Sequence, residues 1–139
     1  MSENKNITSA VVIINSNNEI LGCHGFGKPK DYGYDFPKGL VNQGESDVDA
    51  AKRECFEETD YQVNGKLIDY GVHPHNKEKD IHLFVLHTDD VDITKLKCNS
   101  YFERDGKQYP EVDGYKWIGK DERHLFNKVL QKQFNVIDE

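Results

Sequence analysis

The strongest constraint on the fold lies in residues 39–61, which read GLVNQGESDVDAAKRECFEETDY. Ser46 is placed as a helix N-cap, with Asp49 three residues later as the second half of a capping motif. Asp47 and Asp49 then fall in the first turn, where the helix dipole favours negative charge. The segment therefore predicts a helix over Ser46 to Thr59.

The predicted helix has an acidic flank beside an apolar stripe. At about 100° per residue, Val48, Ala51 and Cys55 form the stripe. Three glutamates share the adjacent flank: Glu54, Glu57 and Glu58. Like charges at such spacing cost a few tenths of a kcal/mol each, roughly, and a hard divalent cation such as Mg²⁺ or Mn²⁺ would offset that cost. Composition alone favours the alternative, a solvated acidic helix face.

Length and composition bound the rest of the chain. Its 139 residues predict a single domain over 1–139. The net charge of −7 disfavours binding to nucleic acid through a broad basic face, but a metal could still bridge the chain to a small phosphorylated substrate. Three cysteines without a CxxC pair favour reduced thiols. No signal peptide or membrane span is evident, so we expect a cytoplasmic protein without a membrane partner.

The order of predicted elements indicates an α/β fold. Besides the acidic helix we expect these elements: strands at Ala10–Ile14, Ile20–Gly25, 66–73, 80–88 and 115–119, and an amphipathic helix from Asp121 to Phe134. That helix would bury Leu125, Phe126, Val129, Leu130 and Phe134. Residues 89–114 are polar and irregular, with a turn at Asp105-Gly106. We predict a mixed sheet with helices packed against it.

The spacing around the acidic helix resembles a known motif. Six positions carry it: Gly39, Glu45, Arg53, Glu54, Glu57 and Glu58. They match the Nudix box, G-x5-E-x7-R-E-U-x-E-E-x-G-U, of pyrophosphohydrolases. Three positions depart from the pattern: Cys55 and Tyr61 replace aliphatic residues, and Asp60 replaces the late glycine. Asp adopts left-handed backbone geometry more readily than most residues, so the helix can still end there.

Two further segments extend the resemblance over roughly residues 7–120. DFPKGLVNQGE (35–45) is similar to Nudix branches that act on dinucleoside polyphosphates, diphosphoinositol polyphosphates and RNA 5′ ends. PEVDGYKWI (110–118) is similar to a stretch in bacterial RNA pyrophosphohydrolases and related dinucleoside polyphosphate hydrolases. The resemblance implies a Nudix-type α/β/α sandwich with a mixed sheet. It also implies a loop-helix-loop that holds two or three Mg²⁺ or Mn²⁺ ions against a diphosphate.

The resemblance assigns roles residue by residue. It implies these metal ligands: Glu54, Glu57, Glu58, Glu111 and the backbone carbonyl of Lys38. Together with Arg53, the four glutamates would form the catalytic set, in which Glu111 binds metal or acts as the general base. Glu45 and Gly39 would be structural members of the box, with Arg53 orienting the loop through Glu45.

Residues before the box are candidates for binding substrate. Lys28, Lys30 and Lys38 could grip phosphates, since ammonium groups do so readily. Tyr32, Tyr34 or Phe102, which lies after the box, could stack on a nucleobase. The alternatives are lysines that serve solubility and aromatic residues that pack in the core.

Three functions from different classes follow. The first is a metal-dependent pyrophosphohydrolase of a dinucleoside polyphosphate or nucleoside polyphosphate. The second keeps the chemistry but acts on the 5′ end of RNA, which needs contact with only one or two nucleotides. The third is a non-catalytic Nudix module that binds a nucleotide. We expect a monomer or a homodimer.

Overall fold

The structure, a computed structural model, describes residues 6–138. Its strands are β1 Asn6–Ile14, β2 Ile20–Gly25, β3 Lys38–Leu40, β4 Ile68–Pro74, β5 Lys79–His87, β6 Tyr101–Arg104, β7 Lys107–Pro110 and β8 Val112–Ile118. Its α-helices are α1 Asp47–Thr59 and α2 Phe134–Ile137. Short 3₁₀ helices span Lys30–Tyr32, Ile93–Lys95, Lys120–Leu125 and Lys128–Gln133. Within the described residues, no helix has the length and apolar character needed to cross a bilayer.

A six-stranded mixed sheet forms the centre of the molecule. Its order is β4-β5-β1-β2-β8, with β3 paired to β1. β1 and β5 run parallel, whereas β2 and β3 pair antiparallel with β1. β6 and β7 form a separate two-stranded sheet. The α/β class and the mixed sheet predicted from sequence are confirmed.

Both faces of β1 are buried, so the sheet lies between two layers. On one face Val11 and Ile13 pack with Ala51 and Cys55 of α1. On the other, the cluster that includes Val12 is completed by the C-terminal residues: Phe126, Leu130, Phe134 and Ile137. This central strand reads as an almost unbroken apolar run because neither of its faces meets water.

Helix α1 begins and ends where the sequence predicts. The Ser46 hydroxyl accepts a hydrogen bond from the Asp49 N–H at 3.2 Å. At the other end, Asp60 adopts the left-handed conformation, with φ of +65°, and its N–H donates to the Phe56 carbonyl at 2.8 Å. The expected exit at Asp60 is confirmed.

The predicted helix from Asp121 to Phe134 is wrong. Residues 120–133 form two 3₁₀ helices with an extended break at Phe126. The break exists because the backbone there pairs with Tyr34: the Tyr34 N–H donates to Leu125 O at 2.9 Å, and the Asn127 N–H donates to Tyr34 O at 2.7 Å. Phe126, Leu130 and Phe134 are buried as expected, but Val129 is 43% exposed.

The sequence also missed the β6–β7 hairpin in the region expected to be irregular. The predicted turn is correct: Asp105 and Gly106 both have positive φ, at +54° and +77°, as two-residue hairpin turns of type I′ require. β8 begins at Val112, three residues before the predicted strand.

A buried histidine makes stability depend on pH. His75 is 7% exposed and its Nδ1 has no hydrogen-bond partner among the described residues. Burial, then Lys38, Lys132 and Lys79, lower the pKa of His75 from 6.5 to about 4. The unfolded chain therefore binds a proton between these two values while the folded chain does not. Stability is fully present above pH 6.5 and falls as the pH drops towards 4.

We expect this loss to reach about 3 kcal/mol, at about 1.36 kcal/mol per pKa unit. Urea unfolding of the wild type and of His75→Gln at pH 7.5, 6, 5 and 4 measures it. The carboxylates titrate in both proteins, so the difference between their free energies of unfolding, plotted against pH, isolates the contribution of His75. The same pH dependence of the free energy of unfolding in wild type and His75→Gln would contradict the prediction.

Candidate active site

Arg53 joins α1 to the loop that precedes it. Its Nε donates to Glu45 Oε2 at 2.8 Å and its Nη2 donates to Glu45 Oε1 at 3.1 Å. Nη2 also donates to the Leu40 carbonyl at 3.0 Å. The Arg53 hydrogen bond, followed by one from the Asn42 N–H, lowers the pKa of Glu45. The predicted contact between Arg53 and Glu45 is therefore present. Its two hydrogen bonds hold the loop before α1 against the helix.

The remaining nitrogen of Arg53 faces the glutamate flank. Nη1 donates to Glu54 Oε2 at 2.9 Å and to Glu57 Oε1 at 3.3 Å. The Glu54 side chain is 14% exposed and that of Glu57 is 37% exposed. Burial raises the pKa of Glu54, although Arg53 opposes that shift. One guanidinium thus holds two of the three predicted ligands on the same flank.

Gly39 lies directly against Glu54. A Cβ atom at position 39 would collide with the Glu54 carboxyl group. Any larger residue here would push the Glu54 carboxyl group out of its place, so glycine keeps that group where it is; no special backbone angle is involved. Gly39, the first fixed position of the motif, and the half-buried Glu54 therefore pack against each other.

A small cavity of about 150 Å³ opens beside this flank. Its lining is mostly polar and comes from four parts of the chain: Cys23, Gly25, Asp35, Phe36, Lys38, Glu58, Glu111 and Val112. Burial raises the pKa of Glu58 well above its usual value, and the nearby Glu54 and Glu111 raise it further. Lys38 opposes this shift through its charge and through a hydrogen bond from its backbone N–H. The fold thus gathers three carboxylates whose negative charges disfavour one another.

Glu111 reaches the cavity from the connection between β7 and β8. Its N–H donates to Ser100 O at 3.0 Å, and its carbonyl accepts from the Phe26 N–H at 3.0 Å. It lies 53 residues after Glu58 along the chain, yet both line the same cavity. Periodicity in the sequence does not indicate that Glu58 and Glu111 lie in one site, whereas the family resemblance predicted it.

The predicted substrate-binding residues occupy different places. Lys38 lines the cavity. Lys28 is exposed, with its Nζ 4.8 Å above the Tyr32 ring. Tyr34 lines a neighbouring groove and packs edge-on against His24 at 5.7 Å. The side chain of Lys30 lies outside the described part of the structure. Contacts of these four residues with substrate stay predictions.

Asp35 is a cavity residue that sequence reasoning missed. Its N–H and carbonyl pair with Cys23 at 2.8 and 2.7 Å, which joins it to β2. Burial raises the pKa of Asp35. In the sequence Asp35 is the first residue of the segment 35–45 that resembles Nudix branches, but no pattern there marks it as a cavity residue. Cys23 itself is buried, and burial raises the pKa of its thiol well above 9.0, so it is not a ready nucleophile.

The carboxylates fit a hard divalent cation by their chemistry. Glutamate oxygens, with a backbone carbonyl, are the donors that Mg²⁺ and Mn²⁺ prefer. Among residues 6–138 no three His, Cys, Asp or Glu side chains lie at metal-ligand spacing. Arg53 holds Glu54 and Glu57, and Glu58 and Glu111 line the cavity. Four carboxylates therefore lie in or beside the cavity, and a cation among them would offset their mutual repulsion.

Comparison with known proteins identifies the family. A NUDIX domain model matches residues 5–138. The chain belongs to the Nudix family. Nudix hydrolases cleave phosphoanhydride bonds in nucleoside diphosphate derivatives, and they generally use divalent ions such as Mg²⁺ or Mn²⁺. The Nudix family and the hydrolase class expected from the sequence are thus confirmed.

A phage protein is similar in sequence to this Nudix hydrolase. It is an uncharacterized 17.7 kDa protein from the e-segB intergenic region of Enterobacteria phage T4. The two are 38% identical over an alignment of 91 residues, and the match covers 61% of this chain. The match spans 60% of the phage protein's length.

Solved structures share the fold at low sequence identity. A MutT protein from Methanosarcina mazei Go1 is 23% identical, with a TM-score of 0.62 over 99% of this chain and 96% of its own. MutT from Aliivibrio salmonicida or Vibrio cholerae is 17% identical, with a TM-score of 0.67 over 99% of both chains. A bifunctional NMN adenylyltransferase/ADP ribose pyrophosphatase from Francisella tularensis, in complex with AMP and manganese, has a TM-score of 0.62. It is 17% identical, and the match covers 99% of this chain and 42% of that one.

Divalent ions are expected to stabilise this Nudix hydrolase. Burial and mutual repulsion disfavour ionised Glu54 and Glu58 in the metal-free protein, so a cation that binds there favours the folded state. At 100 times its Kd, a bound ion adds about 2.7 kcal/mol to the free energy of unfolding. Thermal melts with Mg²⁺ or Mn²⁺, against NaCl of equal ionic strength, measure the effect. Equal melting temperatures would contradict a metal site on α1.

Proposed function

We propose that this Nudix hydrolase cleaves a phosphoanhydride bond in a nucleotide polyphosphate, with a dinucleoside polyphosphate as the preferred substrate. One observation carries the proposal: Glu58, Glu111 and Lys38 line one cavity beside the Arg53–Glu54–Glu57 cluster. Negative groups that could hold cations thus adjoin a lysine that could hold a phosphate. That combination suits a phosphate chain bridged to carboxylates by metal.

Each residue has a separate task in this proposal. Glu54, Glu57, Glu58 and Glu111, with the Lys38 carbonyl, would hold two to three Mg²⁺ or Mn²⁺ ions. When bound, such ions neutralise phosphate oxygens and make hydroxide available near neutral pH. Arg53 keeps Glu54 and Glu57 on one flank, and Glu45 fixes Arg53. Glu111 binds metal or takes the proton of the attacking water.

The size of the cavity favours recognition of the phosphate chain. At about 150 Å³ it is smaller than the roughly 300–1,000 Å³ of pockets that enclose drug-sized ligands. The phosphates would lie inside it and the nucleosides outside, over the adjoining surface. A second nucleoside at the other end of the phosphate chain would also lie outside the cavity, where nothing in this proposal has to enclose it. This arrangement supports dinucleoside polyphosphates ahead of substrates whose base must be enclosed.

Net charge weighs against a long polyanion as substrate. At −7, the chain repels extended RNA, since affinity for nucleic acid rests largely on neutralised phosphates. An RNA 5′ end therefore ranks below a small dinucleotide. ADP-ribose is a further comparison compound, because a bifunctional structural relative includes an ADP ribose pyrophosphatase.

A hydrolysis panel tests the proposal. Diadenosine tetraphosphate, ATP, ADP-ribose, NADH and triphosphorylated RNA are assayed with Mg²⁺ or Mn²⁺ and followed by chromatography of the products. We expect the highest kcat/KM for diadenosine tetraphosphate and no turnover with chelator. A higher value for RNA or ADP-ribose would overturn the substrate assignment. Failure to cleave any compound would support a non-catalytic binding module.

A further inference from the structure

Three aromatic rings pack together beside Glu111, and we call them the hairpin ring cluster: Phe26, Phe102 and Tyr109. The Phe26 and Tyr109 rings stack with centroids 5.0 Å apart and planes at 21°. The Phe102 ring lies 6.1 Å from Phe26 and 5.9 Å from Tyr109. Phe102 and Tyr109 are cross-strand partners on β6 and β7. The cluster therefore attaches the hairpin to the chain that leaves β2.

The backbone of Glu111 is held by the same two segments. On one side its N–H donates to Ser100, the residue directly before β6. On the other side its carbonyl accepts from the N–H of Phe26, whose ring belongs to the cluster. Phe26 therefore contacts the hairpin through its ring and Glu111 through its backbone.

The hairpin needs this attachment because, within residues 6–138, its strands pair only with each other. A two-stranded hairpin alone is marginally stable in water, and most residues of β6 and β7 are exposed. Aromatic packing ties it to the segment that follows β2. If the rings separate, the two hydrogen bonds that hold the Glu111 backbone lose their support.

We propose that the hairpin ring cluster is a positioning device that fixes Glu111 at the cavity in the reactive geometry. The inference rests on the proposed role of Glu111 and adds the residues that place it. A displacement of about 1 Å at a reacting group can cost about 10² in rate, so loss of one ring should reduce turnover. The rings themselves have no contact with the reaction in this proposal.

The test is a double-mutant cycle with diadenosine tetraphosphate and Mg²⁺. Tyr109→Ala should lower kcat about tenfold or more and leave KM within about threefold. Tyr109→Phe, which keeps the ring, should restore wild-type kcat. Tyr101→Ala is the matched control, because Tyr101 lies on the same hairpin but is 57% exposed and outside the cluster. Where Tyr109→Ala does not fold, Tyr109→Leu takes its place.

The cycle separates failure of this inference from failure of the proposed function. In the Glu111→Gln background, Tyr109→Ala should change kcat by less than about twofold, since both act through one group. If the loss of kcat in the double variant equals the product of the two single losses, the inference is overturned. It is also overturned if Tyr101→Ala loses as much kcat as Tyr109→Ala. Full activity of Glu111→Gln alone would instead refute the proposed role of Glu111.

A second measurement uses the metal-free protein and no substrate. Amide hydrogen exchange, followed by NMR, reports on the Glu111 N–H that donates to Ser100. We expect Tyr109→Ala to accelerate exchange at Glu111 about tenfold or more while amides of β1 keep their protection. Tyr109→Phe should exchange like the wild type. Unchanged exchange at Glu111 in Tyr109→Ala would overturn the inference.

Discussion

Glu57→Gln is expected to lower kcat by more than about 10² at saturating Mg²⁺ while the fold stays intact. Loss of a group that only supports a metal ligand typically costs 10- to 100-fold, so loss of a ligand's own charge should cost more. The amide keeps the shape of the carboxyl group and can still accept a hydrogen bond from Arg53 Nη1, at 3.3 Å in the wild type. The Glu57 side chain is 37% exposed, so the substitution should change the melting temperature little in the absence of metal.

Asp49→Asn is the matched control for Glu57→Gln. Asp49 is an exposed carboxylate in the first turn of the same helix, and it lies outside the glutamate flank. Its removal forfeits a helix-dipole interaction of about 0.3–1 kcal/mol and should leave kcat unchanged. If Glu57→Gln retains more than about a tenth of wild-type kcat, Glu57 is not a metal ligand. If both variants lose activity equally, the loss follows from removing any negative charge from the helix and not from removing a metal ligand.

Local signals allowed α1 to be predicted closely. The Ser46 cap, the apolar stripe through Ala51 and Cys55 and the exit at Asp60 are encoded within about 15 residues of one another. The structure reproduces each of them. The Arg53–Glu45 contact spans eight residues of the same segment, and the resemblance to the Nudix box was sufficient to predict it.

Distant contacts explain what the sequence could not reveal. Residues 120–133 have helical periodicity. Backbone hydrogen bonds with Tyr34, which lies about 90 positions earlier in the chain, interrupt the helix that this periodicity predicts. The β6–β7 hairpin was missed because its strands are short and largely exposed, without the alternation of a half-buried sheet. Asp35 was missed because only the pairing with Cys23 brings it to the cavity.

Glu111→Gln is expected to lower kcat by about 10² or more, the scale typical of acid–base roles. Glu111 lines the cavity with Glu58 and raises the pKa of that carboxyl, so the amide removes a charge next to the proposed metal site. Binding of a non-hydrolysable dinucleotide should weaken much less, because the loss is felt mainly in the transition state. Steady-state kinetics and calorimetry measure the two effects.

Asp113 provides the control for Glu111, because it lies two residues further along, at the start of β8. Its carboxylate contacts His24 Nδ1 at 2.7 Å and lines a separate groove with Tyr34. Asp113→Asn should keep kcat within a few-fold, since the contact of Asp113 with His24 is partly exposed and outside the cavity. Equal losses in the two variants would mean that the connection is merely disturbed. A larger loss in Asp113→Asn would move the catalytic assignment from Glu111 to Asp113, and with it from the cavity to the neighbouring groove.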